Sequence, residues 1–173
     1  MNAEWFDVVN ERDEVVGRAS RQEVHARGLR HRAVHVLVFN AHGQLFLQKR
    51  SRYKDREPCV WDSSASGHVD AGEDYDAAAM RELREELGVV LSRPPRRWFK
   101  LEACPETDQE FVWVYRLEHE GPFVWPAREI EDGAWFDPVA ISRWVRTQPA
   151  LFAGAFRRLW AEVERRQAGA EVW

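Results

Sequence analysis

The feature that most restricts the fold is a polar turn that separates two apolar runs in the first third of the chain. Residues 33–39 are apolar and rich in β-branched side chains, residues 40–43 are typical of a turn, and residues 45–47 are apolar again. This pattern predicts a β-hairpin, and a sheet that contains a hairpin is not purely parallel. Because helical and extended segments alternate along the chain, we expect an α/β fold with a mixed β-sheet between helices.

A second, shorter hairpin is predicted at the N-terminus. Residues 4–9 and 14–17 have the composition of two strands on either side of a polar turn. Ser20, with Glu23 three residues later, has the spacing of a capping box. We therefore expect a short helix after the hairpin, ending near Gly28.

Further along, the chain is predicted to alternate strands and helices. Gly88 is placed to end a helix over residues 74–87. Asp137 and Pro138 open a second helix as its cap and its first residue, and Pro149 opens the last one. The predicted strands are residues 61–67, 98–103, 110–117 and 134–136, and the last helix runs to about residue 167.

Composition limits the classes of function. The 173 residues carry a formal net charge of −4 and two cysteines, Cys59 and Cys104. This charge argues against a broad basic surface for a nucleic-acid polymer, and two cysteines do not make a disulfide framework. No apolar run has the length of a membrane span, and residues 1–6 do not resemble a signal peptide. We expect one cytoplasmic domain at residues 31–173, with residues 1–30 as its N-terminal hairpin and short helix.

The helix at residues 74–87 carries the chemistry. At 3.6 residues per turn, Glu82, Glu85 and Glu86 fall within a sector of about 100°. Carboxylates this close repel one another, and a hard cation such as Mg²⁺, which prefers oxygen ligands, removes that repulsion. The apolar residues Met80, Leu83 and Leu87 lie on a different side of the helix.

The surroundings of these carboxylates fit a metal site. Gly67 allows close approach of the backbone, so its carbonyl is a further candidate ligand. Glu73 and Arg81 are placed to pair across the start of the helix. The structural alternative is a solvated helix face held by pairs such as Arg81 with Glu85, four residues apart.

The spacing between residues 67 and 89 resembles the Nudix box, a motif of high specificity. The resemblance implies an α/β/α sandwich that hydrolyses a nucleoside diphosphate linked to another group, using Mg²⁺ or Mn²⁺. It implies metal ligands on the helix, with one of them or a later loop glutamate as general base, and Glu73–Arg81 as the supporting salt bridge. The matching residues are Gly67, Glu73, Arg81, Glu82, Leu83, Glu85, Glu86, Gly88 and Val89.

Three segments outside the box are similar to the isopentenyl-diphosphate isomerase-like branch of the same family. They are residues 6–18, residues 30–39 with the turn that follows, and residues 60–62. The true isomerases have a cysteine before the Gly67–His68 pair, and this chain has Ser66 there. The pKa of a serine hydroxyl is too high for the thiol's proton transfer without a strong base beside it. We therefore favour a hydrolase, and keep an isomerase-like enzyme and a catalytically silent nucleotide-binding module as alternatives.

Histidines suggest a second metal site. His25, His31 and His68, with Asp108 and Glu110 on a later strand, resemble the isomerase metal site. Such ligands suit Mn²⁺ or Zn²⁺. The structural alternative is that His25 and His31 are ordinary surface or hinge residues.

The substrate is the least determined feature. Lys49, Arg50 and Arg52 belong to a basic segment that could hold phosphate oxygens, and Trp61 could stack on a base. We expect a small-molecule nucleoside di- or triphosphate as substrate, hydrolysed to the monophosphate, and no polymer or membrane partner. Nucleotide sugars, dinucleoside polyphosphates and isoprenoid diphosphates are the alternative substrates. The base, the number of metal ions and the oligomeric state stay open, although family members are often homodimers.

Overall fold

The structure is a computed structural model that describes residues 4–169, and within this range it contains two β-sheets and four α-helices. The expectation for residues 1–6 falls partly outside this range. Strands β1 (Trp5–Val9) and β2 (Val15–Ser20) form a two-stranded antiparallel sheet, as predicted. Within the same range, no helix combines the length and the apolarity that crossing a membrane requires.

The short helix α1 (Arg21–Arg27) follows the first hairpin. Ser20 caps it, because its hydroxyl accepts a hydrogen bond from the backbone amide of Glu23 at 3.3 Å. Gly28 ends it in the left-handed conformation, with φ of 59°. Both predicted ends of this helix are therefore confirmed.

The main sheet has seven strands and mixed pairing. The neighbours β3 and β8 run parallel, and the other paired strands run antiparallel, so the predicted mixed sheet is confirmed. Its strands are β3 (His31–Phe39), β4 (Leu45–Arg50), β5 (Trp61–Asp62), β6 (Ala65–His68), β7 (Arg96–Leu101), β8 (Glu110–Glu118) and β9 (Ile130–Phe136).

The predicted hairpin between β3 and β4 is correct at its turn and wrong along its strands. Phe39 pairs with Leu45, and the two strands then separate, because β3 continues against β6 and β8 while β4 continues against β5 and β9. Ser64 lies between them. Its hydroxyl accepts a hydrogen bond from the Val38 amide at 2.8 Å and donates one to the Phe46 carbonyl at 2.5 Å. The segment before β6 thus replaces the missing strand-to-strand bonds.

The last helix begins later than predicted. Pro149 opens only a short 3-10 turn, and Phe152 is extended, with φ of −121° and ψ of 144°. The next amide, that of Ala153, donates to the carbonyl of Trp61 at 2.9 Å. This bond to the sheet edge interrupts the helix, so α4 (Gly154–Gly169) starts five residues after Pro149.

Helices cover both faces of the main sheet, which gives an α/β/α sandwich. Helix α2 (Tyr75–Leu87) packs on one face, against β3 residues such as Val34 and Val36. Helix α3 (Pro138–Thr147) packs with α4 on the other face. The helix residues buried in the two layers are Ala78, Ala79, Leu83 and Leu87 from α2, and Ile141, Phe156, Leu159, Trp160 and Val163 from α3 and α4.

Candidate active site

Helix α2 presents its carboxylates differently from the expectation of one uniform face. The helix is fixed at its start by Asp74, whose side chain accepts from the Ala77 amide at 2.8 Å. Glu82 and Glu86 are buried, with exposed fractions of 9% and 4%, whereas Glu85 is exposed. The helix therefore directs two carboxylates toward the sheet and one toward solvent.

Burial changes the protonation of the two inner carboxylates. It raises the pKa of Glu82 to about 8, with a further contribution from the charge of Glu86 beside it and an opposing one from Arg81. Burial likewise raises the pKa of Glu86 to about 7, although the ammonium of Lys54 opposes the shift. Two acids that are costly to ionise side by side are a natural place for a bound cation.

Gly67 makes room for Glu82. A Cβ placed on residue 67 would lie 2.0 Å from Oε1 of Glu82 and 2.2 Å from its Cδ. Any larger residue would therefore displace the carboxylate. The glycine and the carboxylate are in direct contact, although Gly67 lies in β6 and Glu82 in α2.

Arg81 joins the helix to the loop that precedes it. Its Nε and Nη2 donate to the two oxygens of Glu73, each at 2.9 Å, which is the predicted pair in bidentate form. Nη2 also donates to the carbonyl of His68 at 2.9 Å, and Nη1 donates to Glu82 at 2.6 Å. The alternative partner Glu85 is reached only at 3.4 Å. Arg81 therefore holds Glu73, Glu82 and the His68 carbonyl together, and the alternative of a solvated helix face with an Arg81–Glu85 pair is the weaker description.

Gln48 and Ser66 hold Glu86, and sequence reasoning did not identify either of them for this role. The Gln48 side-chain amide donates to Oε2 of Glu86 at 2.5 Å, and the Ser66 backbone amide donates to the same oxygen at 3.1 Å. The one available signal was a polar residue, Gln48, directly after the apolar run of β4. It is fully buried.

The predicted histidine group is brought together by three separate elements. His25 comes from α1, His31 from β3 and His68 from β6, and one ring nitrogen of each lies within 4.8 Å of the others. Oε1 of Glu110 lies 3.0 Å from Nε2 of His68 and 3.4 Å from Nε2 of His31. Asp108 lies beside them, with Oδ2 2.9 Å from Nδ1 of His25.

One ring nitrogen of each histidine is close enough to the other two for all three to bind one metal ion. Nδ1 of His31 is 2.9 Å from the Leu29 carbonyl, which leaves Nε2 as the nitrogen that faces the group. Nε2 of His31 and Nε2 of His25 are buried and make no hydrogen bond to any residue in the described range. Burial and the charge of His68 lower the pKa of His25. Burial alone would raise the pKa of Glu110, but its contacts with His31 and His68 hold it well below its usual range.

The N-terminal hairpin covers the histidine group. The ring of Phe6 stacks on His68, with centroids 4.6 Å apart, and on His31 at 5.7 Å. The neighbouring Asp7 accepts a hydrogen bond from the Gly72 amide at 2.9 Å, which ties the hairpin to the loop before α2. No sequence pattern indicates this role of Phe6, because the stacking requires that the N-terminal hairpin pack against the main sheet.

One cleft of about 1230 Å³ contains the three carboxylates of α2 and two members of the group His25, His31 and His68. His25, His68 and Glu110 line it, together with Glu82, Glu85 and Glu86. Cationic side chains line it as well. They are Arg21, Arg50, Lys54, Arg56, Arg81 and Arg128.

Of the four residues predicted to bind substrate, the structure places only Arg50 in this cleft. Lys49 and Arg52 both pair with Glu131, at 3.6 and 2.5 Å, away from the cleft lining. The ring of Trp61 packs instead in the apolar layer below α3, with centroids 5.3 Å from Phe136 and 5.5 Å from Trp144. The sequence pattern showed that the segment is basic, but it could not indicate which of its side chains line the cleft.

Comparison with known proteins decides the family. The NUDIX domain model matches residues 29–163. This chain belongs to the Nudix hydrolase family. A Nudix hydrolase of Deinococcus radiodurans is 38% identical over 138 residues, which cover 78% of this chain and 80% of that protein. An uncharacterized Nudix hydrolase of Yersinia pestis is 34% identical over 144 residues, covering 80% and 76%.

Solved Nudix structures agree with the fold. The crystal structure of DR0079 from Deinococcus radiodurans is similar with a TM-score of 0.81 and 32% identity, covering 92% of this chain and 98% of that one. The NUDIX domain of Shewanella oneidensis NrtR, solved with ADP ribose, has a TM-score of 0.61 at 14% identity, covers 86% and 99%, and bears on the fold alone. The Nudix protein described here is thus a hydrolase acting on diphosphate bonds, in a family that generally uses divalent metal ions and small-molecule nucleotides.

Proposed function

We propose that this Nudix hydrolase is Mg²⁺-dependent and converts a nucleoside di- or triphosphate to the monophosphate. The observation that carries the proposal is the pairing of two buried carboxylates, Glu82 and Glu86, with a cationic lining in one cleft. A substrate that is bound through a metal ion needs carboxylates to hold the ion and cationic side chains to hold its phosphate groups. A nucleotide is a substrate of this kind.

The carboxylates fit a divalent ion. Glu82 and Glu86 are buried close enough to raise the pKa of Glu82, and the nearby cations Arg81 and Lys54 compensate only in part. Glu82, Glu85 and Glu86 would hold Mg²⁺, with the Gly67 carbonyl as a further ligand, and Mn²⁺ would serve in its place. When bound, such an ion supplies Lewis acidity and lowers the pKa of a coordinated water.

The side chains of the protein position the other reactants. Lys54 would bind phosphate oxygens, because it lines the cleft and lies close enough to Glu86 to lower its pKa. Arg50 lines the same cleft, but its guanidinium donates to the carbonyls of residues 56 and 57, so it would act by holding the segment that carries Lys54. The proton of the attacking water would pass to a carboxylate. Glu85, the exposed box carboxylate, and Glu129, a loop glutamate that lines the cleft, are the two alternatives for this general base.

The test is a substrate panel with one matched pair of variants. Purified protein is incubated with Mg²⁺ and nucleoside di- and triphosphates, nucleotide sugars, dinucleoside polyphosphates and isopentenyl diphosphate, and the products are separated by chromatography. We expect a nucleoside monophosphate as product, loss of activity by orders of magnitude in Glu86→Gln, and full activity in the control Glu164→Gln, which changes a residue of α4 outside the cleft lining. Activity that persists in excess EDTA would refute the metal mechanism.

The panel also separates the two alternatives. An isomerase would interconvert isopentenyl and dimethylallyl diphosphate without releasing phosphate. A silent binding module would retain a nucleotide and leave it intact. The protein is also proposed to be cytoplasmic, which its free thiols Cys59 and Cys104 support, since such thiols are usual in reducing compartments.

We further propose that His25, His31, His68 and Glu110 hold a second divalent ion, Mn²⁺ or Zn²⁺. The buried Nε2 of His25 supports this proposal, because within the described residues it has no hydrogen-bond partner, and a buried polar atom without a partner is costly. Asp108 would orient His25 from outside, as carboxylates do around metal-bound histidines. Before Glu110, the backbone has two successive non-glycine residues at positive φ, 56° for Asp108 and 63° at position 109, and such strain is typical of functional sites.

Metal content tests this second site independently of activity. The protein is loaded with Mn²⁺ or Zn²⁺, dialysed, and analysed by mass spectrometry for bound metal. We expect His25→Gln to lose one equivalent, while the control His42→Gln, which changes an exposed histidine of the β3–β4 turn, retains it. Equal metal content in the two variants would contradict the second site.

A further inference from the structure

One aromatic ring that lines the cleft belongs neither to the carboxylate site nor to the histidine group. Within the described residues, the cleft is lined by the rings of Phe6 and Tyr53 in addition to imidazoles. Phe6 is buried and stacks on histidines. Tyr53 is 72% exposed, so most of this residue is accessible to solvent where it lines the cleft.

The segment that carries this ring is held in place by hydrogen bonds. We refer to residues 51–60, between β4 and β5, as the cleft loop. The amide of Tyr53 donates to the hydroxyl of Ser51 at 3.0 Å, and the amide of Lys54 donates to the Ser51 carbonyl at 3.2 Å. The guanidinium of Arg50 donates to two loop carbonyls at 3.0 Å each, those of residues 56 and 57.

Two ion pairs connect the cleft loop to other segments that line the cleft. Asp55 accepts a hydrogen bond from Arg21 of α1 at 2.8 Å, and Arg56 lies 2.6 Å from Asp108. Tyr53 is therefore an exposed ring on a constrained backbone. Such a ring loses little conformational freedom when a ligand packs on it, which favours binding.

The position of the ring relative to the charges suits a nucleotide. Lys54, the next residue, pairs with Glu129 and is close enough to Glu86 to lower its pKa. Adjacent residues are about 3.8 Å apart between Cα atoms. Tyr53 and Lys54 also line the same cleft, so a ligand whose phosphates contact Lys54 has the exposed ring of Tyr53 beside it. In a nucleotide, the part beyond the phosphates is a planar base attached through one sugar.

We propose that Tyr53 stacks on the base of the substrate and so restricts the enzyme to diphosphates that carry an aromatic group. The proposal rests on the proposed nucleotide hydrolase function and adds to it the residue that recognises the nucleoside. Every base has a stacking face, so the ring distinguishes nucleotides from base-free diphosphates and does not distinguish one base from another.

Binding of two unreactive ligands tests the proposal. α,β-Methylene-ADP has a base and a linkage that resists hydrolysis, and methylenediphosphonate has the same linkage without nucleoside. Their affinities are measured by titration calorimetry with Mg²⁺ for the unmodified protein, Tyr53→Leu, Tyr53→Phe and Arg52→Gln. Arg52 is the matched control, because it belongs to the same loop and lies outside the cleft. Thermal unfolding verifies that each variant is folded.

We expect Tyr53→Leu to weaken the binding of α,β-methylene-ADP by about 5- to 150-fold, the range that loss of one stacked base produces. Binding of methylenediphosphonate should not change, and Tyr53→Phe and Arg52→Gln should bind both ligands as the unmodified protein does. If Tyr53→Leu binds the nucleotide normally, or loses both ligands equally, the role of Tyr53 is wrong. If the unmodified protein binds the nucleotide no better than methylenediphosphonate, the proposed nucleotide function fails as well.

Discussion

The carboxylate of Glu82 occupies space that a side chain at residue 67 would fill. Its position is also fixed by Arg81, which donates to it from the same helix. Glu86 depends in the same way on Gln48 and on the backbone of Ser66. The positions of these two acids therefore depend on particular neighbouring residues, and each neighbour can be tested by a single substitution.

Gly67→Ala should reduce kcat/KM by about 100-fold, because a displacement of about 1 Å at a reacting group costs that much. The added Cβ would lie 2.0 Å from Oε1 of Glu82, so the carboxylate must move. The measurement is steady-state kinetics with calorimetric Mg²⁺ binding. Gly17→Ala is the matched control, since nothing lies within 4 Å of its added Cβ. An effect of equal size at residue 17 would show that the argument from space is wrong.

Gln48→Met should lower Mg²⁺ affinity or activity by about 10- to 100-fold, as loss of a hydrogen bond to a metal ligand typically does. The buried amide would no longer donate to Glu86, while the volume of the side chain is kept. Gln22→Met, at an exposed position of α1, is the control. Unchanged metal affinity and unchanged activity in Gln48→Met would mean that Ser66 alone orients Glu86.

The carboxylates of α2 and Gln48 differ in how well the sequence predicts them. Glu82, Glu85 and Glu86 were predicted because helical spacing is local and periodic. Gln48 lies 38 positions from Glu86 in the sequence, and their contact requires β4 and α2 to meet. No spacing rule covers such a pair.

Among the elements, the turn between β1 and β2 has a stabilising role. Asp13, at the tip of that turn, has φ of 61° and accepts hydrogen bonds from Arg32 of β3 at 2.6 Å, Lys100 of β7 at 2.5 Å and Tyr75 of α2 at 2.7 Å. Burial alone would raise the pKa of Asp13, but these bonds outweigh it and lower the pKa. One carboxylate thus connects the hairpin to three elements of the main domain.

Asp13→Asn should destabilise the protein by about 1–3 kcal/mol at neutral pH, the range for hydrogen bonds to a charged group. Because the folded-state pKa is lowered, Asp13 contributes this stability above its unfolded pKa and loses it as pH falls through the folded value. The gap between variant and parent should therefore shrink below about pH 4. Urea denaturation at several pH values measures it, with Glu11→Gln in the same turn as control. A gap that is constant with pH would contradict the ionic role.

The elements themselves were largely predictable, because caps, turns and apolar periodicity are local. Ser20, Gly28, Asp74 and Gly88 all mark the helix ends that were expected. The errors came from long-range contacts. Ser64 separates β3 from β4, and the bond from Ala153 to Trp61 stops the helix that Pro149 was expected to open.

At the scale of the whole molecule, residues from both sheets, from α1 and α2 and from several loops line the cleft. A cation bound to Glu82 and Glu86 would offset the cost of burying them and so stabilise the entire fold. A ligand at 100 times its dissociation constant adds about 2.7 kcal/mol to the free energy of unfolding of the protein that binds it.

Mg²⁺ should therefore raise the Tm of the protein, and the double variant Glu82→Gln, Glu86→Gln should not respond. Without metal, the double variant should have the higher Tm, because two acids whose pKa burial raises are replaced by neutral amides. Differential scanning calorimetry with and without Mg²⁺ measures both effects, and the control pair is Glu102→Gln, Glu118→Gln, two exposed positions outside the cleft lining. A metal-free double variant less stable than its parent would show that the acids stabilise the empty site.

The position of the N-terminal hairpin has a practical consequence for how this protein is handled. The family model starts at residue 29, yet Phe6 and His25 lie before that boundary and contact His68. A chain trimmed to the family's shared segment would retain the complete carboxylate helix while losing one histidine and the ring that covers the others. Such a shortened protein would keep every residue that the family model matches, and whether it still folds would test the prediction that residues 1–30 and 31–173 form one domain.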